Sequence, residues 1–302
     1  MNRGVVLANA SAISAFTLFG CAVAATRVVS QDIPPFVLAT ARIGIGAGIL
    51  WAVMLLFNRG GLGVRRSDIR MLAVPAFFYF TAFPIALAAG FNVTEASRGA
   101  LLLATTPVWS VGLARMAGRE RLSPRQMTGV VVSVAGVAVV FADSALTAPE
   151  PGAVSTPVAV GGAALLLFAA ACTAIYGVLS QRAFATYNPL TVTAYTMLIG
   201  TLFLLPSGIL QLSVTGPGDW TPFNTVLLIF LGSLGLAQLM FVFALSRLTP
   251  TQVTIYVNLN PLVATLFGAF ALGEVFTWAF AVGFVAVLGG AVMVNWPQQK
   301  DA

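Results

Sequence analysis

The feature that most limits how this chain can fold is a series of continuous apolar runs, each about twenty residues long. About 20 apolar residues in a helix span the hydrocarbon core of a bilayer. Only 8% of the residues are charged and 59% are hydrophobic, whereas a soluble domain has about 25% charged residues. The runs do not alternate apolar and polar positions, which excludes a transmembrane β-barrel. The sequence therefore predicts an integral membrane protein built from helices.

Charged residues, prolines and glycines divide these runs into segments. The first run follows a single arginine, Arg3, and is longer than the core of about 7 to 15 residues in a signal peptide, so we expect it to remain as the first span. We predict ten transmembrane helices, with ends placed to within about two to four residues, at 6–29, 34–57, 69–91, 97–116, 125–143, 158–181, 189–211, 223–245, 250–272 and 276–296.

Arginine residues are concentrated on one side of this predicted bundle. Loops rich in arginine face the cytoplasm, so both chain termini are predicted to be cytoplasmic. The arginine-rich side would hold Arg59, Arg65, Arg66, Arg70, Arg115, Arg119, Arg121, Arg125, Arg182, Arg247 and Lys300. The opposite loops would hold mostly acidic residues, namely Asp32, Glu95, Asp143, Glu150, Asp219 and Glu274, with Arg98.

Residues that shape helices recur along the chain at a constant offset of 154 positions. The matched pairs are Pro35 with Pro189, Gly46 with Gly200, Pro107 with Pro261, Glu120 with Glu274, Gly129 with Gly283, and Gly136 with Gly290. Each copy holds five predicted spans, so the second copy enters the membrane from the opposite side. The sequence thus predicts an all-α membrane fold of two inverted five-helix repeats, at 1–148 and 155–298. Inverted repeats are typical of secondary transporters, which bind substrate near the membrane midplane.

Several stretches resemble the EamA-type repeat of the drug/metabolite transporter superfamily over nearly the whole chain. They are Phe19 with Gly20, "IPPFVLATARIGIGAG" with Arg42, "TTPVWSVGLARMAGRERLSPRQMTGVVVSVAGV" and "NLNPLVATLFGAFALGEVFTWAFAVGFVAVLGG". The resemblance implies a ten-helix exporter of small metabolites, and within the family the chain looks most like bacterial aromatic amino acid exporters of the YddG type. The second half departs from the pattern, with Thr196 at the position that corresponds to Arg42.

The chain lacks the residues that most membrane pumps and enzymes need. It contains no histidine, and its nine acidic residues all fall at predicted helix ends or in loops. A proton-coupled antiporter normally carries an ionisable group within a span. Metal clusters, nucleophile and base pairs and phosphate-binding loops are absent from the sequence, and Cys21 and Cys172 lie in apolar runs as small hydrophobes. We therefore predict a facilitator or an exchanger. We expect it to have no enzyme activity, no cofactor, no metal and no nucleic-acid partner.

The stretch "NLNPLVATLFG" suggests where a substrate could bind. Asn258 and Asn260 point about 160° apart on a helix, so only one of them can face a given surface. We predict that Asn258 faces a neighbouring helix and that Asn260 faces a pocket of mixed aromatic and polar groups, which suits a small amphipathic molecule. The predicted substrate-binding residues are Arg42, Tyr79, Phe83, Thr106, Trp109, Tyr176, Gln238, Phe241, Tyr256 and Asn260.

Prolines and charged residues inside the spans suggest further roles. Pro107 and Pro261 each free the carbonyl four residues earlier and would kink their helices. Glu120 and Glu274 end their spans and either cap a helix junction or act in gating. For Arg42 two roles stay open, a substrate carboxylate partner or a hydrogen-bond donor to freed carbonyls, while we expect Arg27 to reach the membrane interface. Gly44 and Gly48 are predicted to form a close helix contact.

These observations predict a secondary transporter of the bacterial inner membrane that works by alternating access, with a monomer favoured over an oligomer. Its substrates would be small amphipathic metabolites, with amino acids that carry aromatic or apolar side chains favoured. A drug or cation exporter is the alternative within transport, because an aromatic cage could hold a cation. A membrane receptor, lipid-modifying enzyme or structural protein is the alternative outside it.

Overall fold

A computed structural model describes residues 3–57, 63–116, 123–146, 156–216, 218, 220–247, 256, 259–273 and 276–295. Within these residues the chain is helical and contains no strand. The helices are α1 Arg3–Asp32, α2 Pro35–Phe57, α3 Ile69–Ala76, α4 Phe83–Val93, α5 Ala96–Leu103, α6 Thr106–Met116, α7 Pro124–Leu146, α8 Thr156–Thr186, α9 Pro189–Thr215, α10 Pro222–Arg247, α11 Leu259–Ala271 and α12 Trp278–Asn295.

In the part of the chain that the structure describes, six helical stretches are long and apolar enough to cross a membrane, which confirms the prediction of a helical membrane protein. They are Val6–Asp32, Pro35–Leu56, Arg66–Val93, Pro157–Thr186, Pro189–Thr215 and Pro222–Phe241. Three further apolar helices are shorter, at Pro124–Val140, Leu259–Ala271 and Trp278–Met293. The total of ten spans stays a prediction.

The fourth predicted span is divided into α5 and α6 just before Pro107. A proline cannot donate to the carbonyl four residues earlier, and its ring pushes that carbonyl away. The carbonyl freed in this way belongs to Leu103, and it accepts a hydrogen bond from the Thr106 hydroxyl at 2.7 Å. The hydroxyl of Thr105 donates in the same way to Leu102 O at 2.6 Å. Threonine side chains therefore satisfy the backbone at the break.

The segment between α3 and α4 widens into a π-helix at Phe77–Ala82. Its hydrogen bonds span five residues, as shown by the Phe83 N–H, which donates to Phe78 O. The segment lies between Pro75 and Pro84 and links α3 to α4 without a gap. Such π-turns interrupt α-helices at functional sites in many proteins.

Glycines allow two helix pairs to approach through their backbones. A Cβ at Gly136 of α7 would lie 2.8 Å from the carbonyl oxygen of Gly283 of α12, and one at Gly290 would lie 2.5 Å from that of Gly129. Near the middle of this contact the Ser133 hydroxyl donates to Val287 O at 3.3 Å. Because positions rise along α7 while they fall along α12, the two helices run antiparallel.

A second glycine contact joins α2 to α9 and α10, and it corrects the sequence prediction. A Cβ at Gly46 would lie 3.0 Å from Gly232 O and 2.5 Å from the end of the Met197 side chain. At Gly48 a Cβ would meet nothing within 4 Å, and at Gly44 it would make only an ordinary contact of 3.6 Å with Thr201. The close approach therefore uses the central glycine of "GIGAG" and not the outer two.

Polar contacts connect the helix ends at each end of the bundle. At what we call the Asp32 end, the Asp32 carboxylate accepts from Asn224 Nδ2 at 2.8 Å, and Gln211 Oε1 accepts from the backbone N–H of Phe36 at 2.7 Å. At the opposite end, called the Tyr187 end, the Tyr187 hydroxyl donates to the Asp68 carboxylate. This hydrogen bond raises the pKa of the Tyr187 hydroxyl above its ordinary value.

Candidate functional site

A stack of aromatic rings is formed by residues of the π-helical segment, α4 and α8. The Tyr79 ring is stacked on Tyr176 with centroids 4.5 Å apart and on Phe83 with centroids 5.2 Å apart. The Tyr79 hydroxyl makes a long hydrogen bond of 3.5 Å to Gln238 Oε1. Arg42 of α2 lies near Tyr79, and we call these side chains together the central cluster. Its members are Arg42, Tyr79, Phe83, Tyr176 and Gln238.

The local backbone explains how Tyr79 reaches this position. Tyr79 lies inside the π-helical segment, whose extra residue changes the direction of side chains relative to a regular α-helix. The segment is fixed against α9, because the Thr81 hydroxyl donates to Gly200 O at 3.2 Å. A Cβ at Gly200 would lie 2.3 Å from the Phe80 Cβ, so only glycine permits this approach.

Arg42 is a charged residue within a membrane-spanning helix. Its guanidinium donates to the Thr26 hydroxyl of α1 across a long distance of 3.5 Å. Within the described part of the chain, no carboxylate lies inside the 4.0 Å limit of an ion pair with Arg42. A cation inside a membrane protein normally pairs with an acid or faces a cavity, so Arg42 has capacity to bind an anionic group.

Two polar groups of the central cluster are buried without a hydrogen-bond partner. They are the Tyr176 hydroxyl and the Nε2 of Gln238, on side chains that are 5% and 4% exposed. The side-chain oxygen of Asn260 on α11 is also buried and unpartnered. A buried polar group without a partner lowers stability by about 1–3 kcal/mol. In a native fold such a group calls for an explanation, such as a bound water or a ligand. The central cluster therefore combines a cation, free hydrogen-bond capacity and flat apolar rings.

The structure distributes the other predicted binding residues over different places. Phe241 packs edge to face on Phe16 with centroids 5.5 Å apart, in an apolar cluster that also contains Tyr256. The Tyr256 hydroxyl donates to Asn9 Oδ1 at 2.7 Å. Phe241 is one turn from Gln238 on α10 and so extends the central cluster toward the start of α1.

Thr106 and Trp109 belong to α6 and not to the central cluster. The Thr106 hydroxyl is engaged with its own helix at Leu103, and Trp109 is 40% exposed on the surface of the chain. Pro107 and Pro261 are buried. Glu120, Glu274 and Asn258 lie outside the described residues, so their predicted roles stay predictions.

Arg27 has partners that the sequence did not predict. Its guanidinium donates to Phe91 O at 2.7 Å and to Asn92 O at 2.9 Å, while its reach to the membrane interface stays a prediction. Gln31 adds a donor to Asn92 O at 3.0 Å. These carbonyls end α4 and have no partner within that helix, so Arg27 ties α1 to α4 at the Asp32 end.

Sequence reasoning missed three small polar residues beside the central cluster. They are Thr26, which accepts from Arg42, and Ser180 and Thr196, which lie next to the Tyr176 hydroxyl. The signal that could have found them is the offset of 154 positions. It relates Thr26 to Ser180 and Arg42 to Thr196.

Comparison with known proteins identifies the family. The model of the EamA-like transporter family matches this chain twice, at 3–142 and 160–296. The chain belongs to this family.

Several curated relatives are transporters. The chain is 30% identical over 249 residues to a probable terminal-alkyne amino-acid exporter of Streptantibioticus cattleyicolor, covering 81% of this chain and 80% of that protein. It is 25% identical to an uncharacterized transporter of Archaeoglobus fulgidus, covering 91% and 92% of the two chains. One solved structure shares the fold, with a TM-score of 0.65, 20% identity and coverage of 95% and 96%.

Family membership supports three of the sequence predictions in their general form. The protein is an EamA-family transporter, it is a multi-pass membrane protein, and its relatives are transporters and not enzymes. The receptor and enzyme alternatives are therefore set aside.

Proposed function

We propose that this EamA-family transporter exports amino acids with aromatic or other apolar side chains across the bacterial inner membrane by alternating access. The observation that carries this proposal is the central cluster. It places Arg42, without a carboxylate partner among the described residues, beside the stacked rings of Tyr79 and Tyr176. The probable terminal-alkyne amino-acid exporter of Streptantibioticus cattleyicolor, at 30% identity, adds support for the substrate class.

The chemistry of the cluster fits the two ends of such a substrate. A guanidinium binds a carboxylate through charge-assisted hydrogen bonds, and the free Gln238 Nε2 offers one more donor. The rings of Tyr79, Phe83 and Tyr176 offer apolar area and stacking surfaces for the side chain. The same stack could attract a drug-like cation, but Arg42 beside it would repel one, so we rank the cation exporter second.

The proposal includes the predicted architecture of ten spans in two inverted repeats with cytoplasmic termini. Its support comes from the two family matches and from the antiparallel contact of α7 with α12. In that contact Ser133 meets Val287, its own counterpart at the offset of 154 positions, as a two-fold axis through the contact requires. We also propose that the transporter works as a monomer, because one chain supplies every helix of the central cluster.

Orientation is testable with single cysteines in a protein lacking Cys21 and Cys172. We expect Thr215→Cys at the Asp32 end to react with an impermeant thiol reagent from the periplasmic side, and Ser67→Cys at the Tyr187 end to be protected. The reverse labelling would overturn the orientation.

The proposal that transport is not coupled to protons follows from the ionisable residues that the predicted spans lack. The chain has no histidine, and its acidic residues are predicted at helix ends or in loops. We propose facilitated export or exchange, so counterflow of labelled amino acid into liposomes should run without an imposed proton gradient. Stoichiometric proton movement opposite to the substrate would contradict this part.

The decisive experiment measures counterflow by purified protein in liposomes, with phenylalanine and leucine as substrates and phenethylamine and isoamylamine as matched amines without a carboxylate. We expect the amino acids to be transported and the amines to be rejected. Arg42→Gln should lower the apparent affinity for amino acids about 10- to 100-fold, because hydrogen bonds to a charged group contribute about 1.5–3 kcal/mol. Arg42→Lys, which keeps the charge, should lose less. Preferred transport of the amines would instead support the cation exporter.

A further inference from the structure

The two halves of the chain place unlike polar groups at matching positions beside the aromatic stack. In the first half, Arg42 of α2 donates to Thr26 of α1. At the offset of 154 positions, Thr196 of α9 corresponds to Arg42 and Ser180 of α8 corresponds to Thr26. The Tyr176 hydroxyl lies next to Ser180 and Thr196. We call Tyr176, Ser180 and Thr196 the hydroxyl subsite.

The hydroxyl subsite is buried, and most of its hydrogen-bond capacity is unused. Ser180 and Thr196 are 0% exposed and Tyr176 is 5% exposed. Neither the Tyr176 hydroxyl nor the Ser180 hydroxyl makes a hydrogen bond with good geometry, despite their proximity. The Thr196 hydroxyl donates to Val192 O at 2.7 Å, so its oxygen remains free only to accept. The subsite thus presents three oxygen acceptors.

The Tyr79 ring links this subsite to Arg42. The Tyr79 ring is stacked on Tyr176, which carries the subsite, and Arg42 also lies near Tyr79. Arg42 and the hydroxyl subsite are therefore both close to Tyr79. A ligand bound beside Tyr79 could place one group on the cation of the first half and another on the neutral oxygens of the second half.

We propose that the hydroxyl subsite binds the ammonium group of the substrate while Arg42 binds its carboxylate, which makes the substrates zwitterionic α-amino acids. This inference rests on the proposed function and deepens it. An ammonium group carries three donors and no acceptor, which matches three hydroxyl oxygens. It also avoids Arg42, whose positive charge would repel it. The first half of the chain would therefore bind the carboxylate and the second half the ammonium group.

The test compares amino acids with acids of the same shape that lack the ammonium group. Phenylalanine is paired with 3-phenylpropionate and leucine with 4-methylpentanoate, and each compound competes against labelled amino acid in liposome counterflow. We expect the wild-type protein to prefer the amino acid at least tenfold over its deaminated partner. Ser180→Ala combined with Thr196→Val should remove most of this preference while the affinity for the deaminated acids stays within twofold of wild type.

Two further variants separate recognition from packing. Tyr176→Phe keeps the stacked ring and removes only the hydroxyl, so it should reduce the preference in the same direction. Thr201→Val is the matched control, because Thr201 lies on the same helix as Thr196 and its hydroxyl is already bonded to Met197 O at 2.9 Å. It should leave the preference unchanged.

Each outcome bears on one proposal. An unchanged preference in the Ser180→Ala, Thr196→Val protein that still transports amino acids overturns the hydroxyl subsite and leaves the proposed function standing. Wild-type transport that depends on Na⁺, with the Na⁺ dependence lost in that variant, also overturns it, because the subsite would then hold a metal ion. Rejection of both amino acids by the wild-type protein overturns the proposed function itself.

Discussion

The two halves of the chain resemble each other where backbones touch and differ where polar side chains lie. Gly46 and Gly200, at matching positions, both sit where a Cβ would collide with a neighbouring helix, and Gly136 and Gly290 do the same. By contrast, Arg42 is matched by Thr196 and Arg27 by Gln181. Close helix packing demands a small residue in each half, whereas one polar group is enough to bind one part of a ligand. The difference indicates that packing keeps the halves alike, while Arg27 links helices in one half only and Arg42, in our proposal, binds substrate in one half only.

The largest effect is expected where the halves agree. Gly290→Ala would place a Cβ 2.3 Å from Ser133 Oγ and 2.5 Å from Gly129 O. Overpacking of this kind costs about 1–3 kcal/mol, and Gly136→Ala, at the matching position, should cost a similar amount. Thermal unfolding in detergent measures both.

The neighbouring glycine provides the control for this prediction. A Cβ at Gly289 would meet nothing within 4 Å, so Gly289→Ala should be neutral or stabilise the helix by up to about 1 kcal/mol. Equal melting temperatures for Gly290→Ala and Gly289→Ala would contradict the claim that close helix packing requires glycine at position 290.

A smaller effect is expected at a pair where the halves differ. Arg27→Met removes two charge-assisted hydrogen bonds to the end of α4 and should lower the free energy of unfolding by about 2 kcal/mol. Gln181, at the matching position, is exposed, so Gln181→Met should change stability by less than about 0.5 kcal/mol. Destabilisation of similar size in both variants would show that the second half uses an equivalent link.

The smallest effect on stability, combined with an effect on transport, is expected at Asn260, and Thr106, which matches it at the offset of 154 positions, serves for comparison. The Thr106 hydroxyl satisfies its own backbone, so Thr106→Val should cost about 1 kcal/mol and leave transport intact. The Asn260 side-chain oxygen is unpartnered, so Asn260→Leu should lower amino acid affinity with little change in melting temperature. Apparent affinity and thermal midpoint are measured on both variants. Lower affinity in Thr106→Val, with a loss of stability alone in Asn260→Leu, would contradict this assignment.

The sequence predicted the membrane class, the helical fold and the family, because those depend on long apolar runs and on repeated prolines and glycines. It also predicted that Pro107 would free the Leu103 carbonyl, since that effect is local to one helix. It did not predict the partners of Arg27, which lie more than sixty residues away at the end of α4. The sequence predicted that Tyr256 and Asn260 both bind substrate, but it could not show that Tyr256 would bond to Asn9 of α1. Contacts between distant helices were the missing information.

At the π-helical segment Phe77–Ala82, the number of residues between Pro75 and Pro84 is as important for the binding surface as their type. Its wider turn holds one residue more than an α-helical turn, and each residue of an α-helix rotates the following side chains by about 100°. Deleting one residue between Pro75 and Pro84 would therefore rotate α4 relative to α3, carrying Phe83 away from Tyr79 and the end of α4 away from Arg27. A homologue that keeps the binding residues but lacks one residue between Pro75 and Pro84 would therefore have a different binding surface.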